Sequence, residues 1–183
     1  MHMYNLLTSD ILEVISFIPY GLLIGGFVVL CITLVQNISN RRIQIGRLFV
    51  LGITIVYLVV LLQTAFFSRE PGSRVGEIDW RILPDWLTNI WVRTYALENI
   101  IMFVPFGILI HWSVRMAKKF YICIPLAMML SFGIETAQYI TERGFCQLED
   151  LIMNTIGTIV GYGVWTLIYN VVKSVRGEKN SEK

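Results

Sequence analysis

Four long apolar runs, Ile11 to Gln36, Leu48 to Phe67, Phe120 to Ile140 and Leu151 to Val172, dominate this chain of 183 residues. Each is near the roughly 20 residues that a helix needs to cross a hydrocarbon core of about 30 Å. With 55% hydrophobic residues, 15% charged residues and a mean hydropathy of +0.63, the chain is too apolar for a domain whose whole surface meets water. A fifth segment, Asn99 to Arg115, is short for a span but carries only His111 as an ionisable group before its basic end. These runs predict an all-α integral membrane protein with about five transmembrane helices. The first run reads as a helix and not a signal peptide, because no basic residue precedes it and no small-residue cleavage pattern follows.

Lysine and arginine give the expected orientation. Arg41, Arg42 and Arg47 follow the first run, Arg115, Lys118 and Lys119 follow the third, and Lys173, Arg176, Lys179 and Lys183 close the chain. Placing these regions in the cytoplasm puts ten of the fifteen basic residues inside. The N-terminus is then outside and the C-terminus inside, and the loop 68–98 and the turn 141–150 lie on the outer face. The expected organisation is one membrane domain over 1–183, with 11–36 as an additional N-terminal span and 173–183 as a cytoplasmic basic tail. Topology accounts for the basic residues, so no nucleic-acid partner is expected. Cys31, Cys123 and Cys146 form no CxxC pair, and neither a metal site nor a cofactor is expected.

Within the outer loop, Leu83, Trp86, Leu87, Ile90 and Trp91 recur at the spacing of one helical face, and Pro84 suits a first helical turn. Three of the five tryptophans lie in this stretch, which predicts a short helix on the membrane surface over 80–95. An ordered loop packed on the bundle fits the same pattern.

The uncommon polar residues of three spans fall at one depth. At 1.5 Å per residue, Glu135 lies about 7 to 8 Å below the outer end of its helix. Glu98 and Asn99 open one span, and Asp150 and Asn154 open another. Ser131, Glu135 and Gln138 share one helical stripe; Asp150, Asn154, Gly157, Thr158 and Gly161 share a second. Gly157 and Gly161 form a GxxxG pattern that admits a neighbouring backbone. Pro105 removes a donor inside its span and frees the carbonyl of Ile101, which predicts a kink opening space near Asn99. An ionised Glu135 at that depth costs a few kcal/mol unless paired or wetted; the candidate partners are Arg69, Arg143, Asn99, Gln138 and Asn154. Glu135 and Asp150 are candidates for acid and base work. A polar network that only fixes helix register fits equally well. His111, beside Trp112, reads as an interfacial histidine.

On these residues the chain resembles the VanZ-like family. The matching stretches are Glu98-Asn99 with Pro105-Phe106-Gly107, Ser131 with Glu135 and Gln138, and Glu149-Asp150 with Asn154-Thr155 and Gly157. Ser68-Arg69 and Arg81-Ile-Leu-Pro84 match too, although Asp85 stands after the proline where the family usually has phenylalanine. The similarity covers about residues 48–169. It implies a multi-pass protein of the bacterial cell membrane, associated in some members with low-level resistance to teicoplanin, a lipid-bearing glycopeptide, and it implies no particular reaction. The expected ligand-binding residues are Arg69, Arg81, Glu98, Asn99, Ser131, Glu135, Gln138, Asp150 and Asn154. The partners expected are a membrane lipid and either a lipid-linked cell-wall precursor or a glycopeptide antibiotic. An intramembrane enzyme acting on an envelope lipid or glycan, and a structural partner without catalysis, are the alternatives.

Overall fold

A computed structural model describes residues 2–39, 44–72, 78–82 and 89–176. Five helices carry the fold: α1 (His2–Ile38), α2 (Ile45–Leu62), α3 (Ile90–Ser113), α4 (Phe120–Ile140) and α5 (Leu148–Val175). All five are long and apolar enough to cross a membrane. The protein is an all-α integral membrane protein, as its apolar runs require.

Two boundaries differ from the sequence expectation. Helix α3 begins nine residues before Asn99, so Ile90 and Trp91 belong to a span and the loop assigned to 68–98 ends earlier. Asn89 starts this helix, its side-chain carbonyl accepting the Trp91 N–H at 3.0 Å. The surface helix expected over 80–95 rests on Leu83, Pro84, Trp86 and Leu87, which lie outside the described residues, as does Asp85. The second difference is a π-helical turn at Gln63–Phe67, continuous with α2. It ends as the Ser68 N–H donates to the Gln63 carbonyl at 2.8 Å.

Helix α4 ends in a left-handed cap. Glu142 has φ 54, the Arg143 N–H donates to the Gln138 carbonyl at 2.9 Å, and the Glu142 N–H donates to the Tyr139 carbonyl at 3.2 Å. This pair of bonds reverses the chain and feeds the short strand β2 (Cys146–Gln147). A second short strand, β1 (Ile78–Asp79), lies parallel to it, with Ile78 opposite Cys146 and Asp79 opposite Gln147. Part of the long loop is thereby tied to the α4–α5 turn.

Close approach of α3 and α5 organises the bundle. A Cβ on Gly157 would overlap the Ile100 carbonyl, one on Gly161 the Val104 carbonyl, and one on Gly107 the Thr158 carbonyl. The glycine pattern read from the sequence therefore serves α3, with backbone against backbone. Where α2, α3 and α4 meet, Leu61, Ala65, Phe103, Phe106, Ala127 and Ile134 form the apolar core. Helix α3 continues through Pro105, and the Met102 carbonyl accepts the Tyr57 hydroxyl at 2.9 Å. Helix α1 packs on α2, where a Cβ at Gly21 or Gly25 would press on Val56, and leaves Leu12, Leu23 and Phe27 exposed to lipid. His111 is buried among the helices, its ring stacked on Trp165 with centroids 3.9 Å apart.

Candidate functional site

The N-terminal ends of α3 and α5, the C-terminal end of α4 and the residues after α2 meet at one end of the bundle. A cleft of about 630 Å³ opens there, lined among others by Arg69, Arg81, Glu98, Asn99, Glu149 and Asp150. Five of the nine residues expected at the site, Arg69, Arg81, Glu98, Asn99 and Asp150, line this cleft. The other four, Ser131, Glu135, Gln138 and Asn154, are buried behind it at 0 to 4% exposure. The site is thus a charged cleft backed by a buried polar layer.

Each member of that layer has a defined task. Asn154 donates its side-chain amide to the Ser131 hydroxyl at 2.8 Å, joining α5 to α4. Gln138 donates to the Ala65 carbonyl in the π-helical turn, joining α4 to the end of α2. Glu135 accepts the backbone N–H of Gln147 at 2.9 Å. That donor lies on β2, so the buried carboxyl group of Glu135 holds the strand that forms one wall of the cleft. Asn99 donates to Asp150 at 2.7 Å, joining α3 to the first turn of α5. Of the partners proposed for Glu135, Asn99, Gln138 and Asn154 are thus engaged elsewhere. The side-chain carbonyls of Asn154 and Gln138 are buried without a hydrogen-bond partner among the described residues.

The cations divide their roles. Arg143 donates to the carbonyls of Phe66 and Arg69, at 3.3 and 2.8 Å, and stacks over the Phe66 ring. It fixes the chain that carries Arg69. Arg69 packs beside Gly144, where its Nη1 would lie 2.7 Å from an added Cβ. It stands within electrostatic reach of both Glu135 and Asp150, which repel one another. No salt bridge holds Arg69 among the described residues. Arg81 instead grips Asp79 at the exposed rim, at 2.8 and 2.9 Å, and these bonds draw the Asp79 pKa down to about 2. Asp79 is therefore ionised throughout the neutral range. Burial, followed by the Glu135 and Asp150 carboxyls, pushes the Cys146 thiol above its ordinary range.

Glu149 and Asp150 occupy the first turn of α5, where the helix dipole favours negative charge. Gln147 carries no signal in the sequence, because its contribution is a backbone N–H. Asp79 carries no signal of its role in the sequence, since a two-residue strand leaves no alternation to read. Arg143-Gly144 offered a faint signal: a glycine after a basic residue is what lets Arg69 lie close.

A family model described as VanZ/LLP1 matches residues 49–169. The chain is also similar to Protein VanZ of Enterococcus faecium, with 24% identity over 126 residues covering 67% of this chain and 76% of that protein. No solved structure matches significantly.

Proposed function

The chain belongs to the VanZ-like family, and from that premise we propose that it works at the outer leaflet of the bacterial cell membrane, lowering susceptibility to lipid-bearing glycopeptides such as teicoplanin. The charged cleft binds the head of an amphiphile, either an envelope lipid, a lipid-linked wall precursor or the drug itself, while the acyl part stays in the membrane beside α3. The observation that carries this reading is Arg69: a half-buried guanidinium lines a cleft of about 630 Å³ and holds no carboxylate in a salt bridge among the described residues. A guanidinium so placed is suited to the phosphate or carboxylate of an entering head group. The positive-inside distribution supports an outward-facing cleft, because Arg47, Lys118, Lys119, Lys173 and Arg176 lie at the opposite end of the bundle.

Arg69→Gln tests the reading. Losing one charge-assisted contact should weaken ligand binding by about tenfold or more. In a susceptible host, the wild-type protein should raise the inhibitory concentration of teicoplanin far more than that of vancomycin, and Arg69→Gln should remove the difference at equal expression. Equal effects of the wild type on both drugs, or none, would count against the proposal.

One feature favours an enzymatic reading as well. Glu135 and Asp150 lie near one another with Arg69 within reach of both, a set able to move a proton beside a bound phosphate. An enzyme of this kind would change the mass of a lipid or wall component. Mass spectrometry of envelope extracts from cells with and without the protein should then reveal a new species, and unchanged profiles would dismiss catalysis.

A further inference from the structure

At the opposite end of the bundle a second cleft, of about 270 Å³, is bounded by Trp112 of α3, by Trp165 and Tyr169 of α5, and by Lys118, Lys173 and Arg176. We propose that this cleft is a binding site for an anionic phospholipid of the adjoining leaflet, separate from the cleft at Arg69 and independent of what that cleft binds.

Three observations carry the assignment. The first is charge: three cations from two elements converge, and no carboxylate lines the cleft among the described residues. A scattered basic surface needs no such focus, whereas a phosphate head group between helices does. The second is rigidity. His111 stacks on Trp165 with centroids 3.9 Å apart, and Trp165 stacks on Tyr169 at 5.5 Å and 19°. The Tyr162 hydroxyl donates to the Lys118 carbonyl at 3.1 Å and so ties the turn bearing Lys118 to α5. The cleft therefore has fixed aromatic walls before any lipid enters, which lowers the ordering cost of binding. The third is continuity with the bilayer. Ile168 and Val172 line the cleft and are exposed on the outer face of α5, so an acyl chain can run along them while the head group meets the cations. Indole and phenol rings suit this boundary between head groups and chains.

Phosphatidylglycerol is the probe and phosphatidylcholine the neutral comparison. Native mass spectrometry of the full chain, released from nanodiscs containing equal amounts of both, reads the bound lipid. With each cation worth about fivefold near a charged membrane surface, the wild type should retain phosphatidylglycerol by on the order of tenfold or more. Lys118→Gln, Lys173→Gln and Arg176→Gln should each reduce that preference severalfold, and the triple variant should abolish it. Lys119→Gln, which alters a cation stacked over Tyr121 outside the cleft, should leave it intact. No preference in the wild type would overturn the proposal without recourse to any variant. An equal loss on Lys119→Gln would overturn it in favour of diffuse surface charge. Displacement of the lipid by millimolar glycerol phosphate would assign the cleft to a soluble phosphate instead. Susceptibility to teicoplanin plays no part in this readout, so the two sites stand or fall separately.

Discussion

Replacing Gly161 with leucine is expected to prevent the bundle from assembling. A Cβ at this position would overlap the Val104 carbonyl and crowd Gly107, so the obstruction is backbone and no rotamer change relieves it. Overpacking a core commonly costs about 1 to 3 kcal/mol, and separating two helices in backbone contact should exceed that range. Gly133 and Gly163 supply the comparison, since nothing lies within 4 Å of a Cβ added at either. Leucine there meets lipid and should shift the midpoint of thermal unfolding in detergent by no more than a few degrees. Gly161→Leu should yield no monodisperse protein. If all three variants behaved alike, the α3–α5 contact would not be the organising one.

The second large effect is expected at Glu135, where hydrogen bonding and charge can be separated. Glutamine keeps an oxygen to accept the Gln147 N–H, whereas leucine leaves that donor without its partner. An orphaned donor costs about 1 to 3 kcal/mol, and here it also loosens the strand pair formed by Asp79 and Gln147. Hydrogen exchange at the Gln147 amide should therefore accelerate by about tenfold or more in Glu135→Leu and little in Glu135→Gln. On the proposed function, Glu135→Gln should nevertheless lose the teicoplanin phenotype, because it replaces the ionisable group within reach of Arg69 and Asp150 by one that cannot exchange a proton. Equal exchange in the two variants would mean that Glu135 does not hold the strand.

Much of this arrangement is legible in the sequence. Four runs of some 20 apolar residues mark α1, α2, α4 and α5, a shorter fifth marks α3, and helical periodicity puts Ser131, Glu135 and Gln138 on one stripe, all three of which are buried. Helix α3 starts earlier than its apolar run suggests, because Arg93, Thr94 and Glu98 interrupt the hydrophobicity of a helix whose first turns lie at a charged cleft. Thr94 is buried all the same, its hydroxyl donating back to the Ile90 carbonyl at 3.0 Å. Partner choice was the least legible feature. Periodicity gives the face of a helix but not its rotation against its neighbours, and the π-helical turn after α2 shifts the frame in which Ala65 presents its carbonyl to Gln138. The acid in the fourth span is expected to meet Arg69, Arg143 or the amides of Asn99, Gln138 and Asn154, and of these Arg69 stands within its electrostatic reach. Its hydrogen-bonding partner is a backbone donor twelve residues onward, at the start of the next span.

If the cleft beside Arg69 receives the head of an envelope amphiphile, as proposed, that amphiphile should be captured there in living cells. A photo-crosslinking amino acid in place of Tyr95, which lines the cleft, should yield on irradiation an adduct whose mass corresponds to a lipid, a lipid-linked precursor or added teicoplanin. Arg69→Gln should remove that adduct, and the same photo-reactive residue at Leu97, exposed on the same helix away from the cleft, should not give it. An adduct that forms equally from both positions and survives Arg69→Gln, or no adduct at all from position 95, would contradict the account.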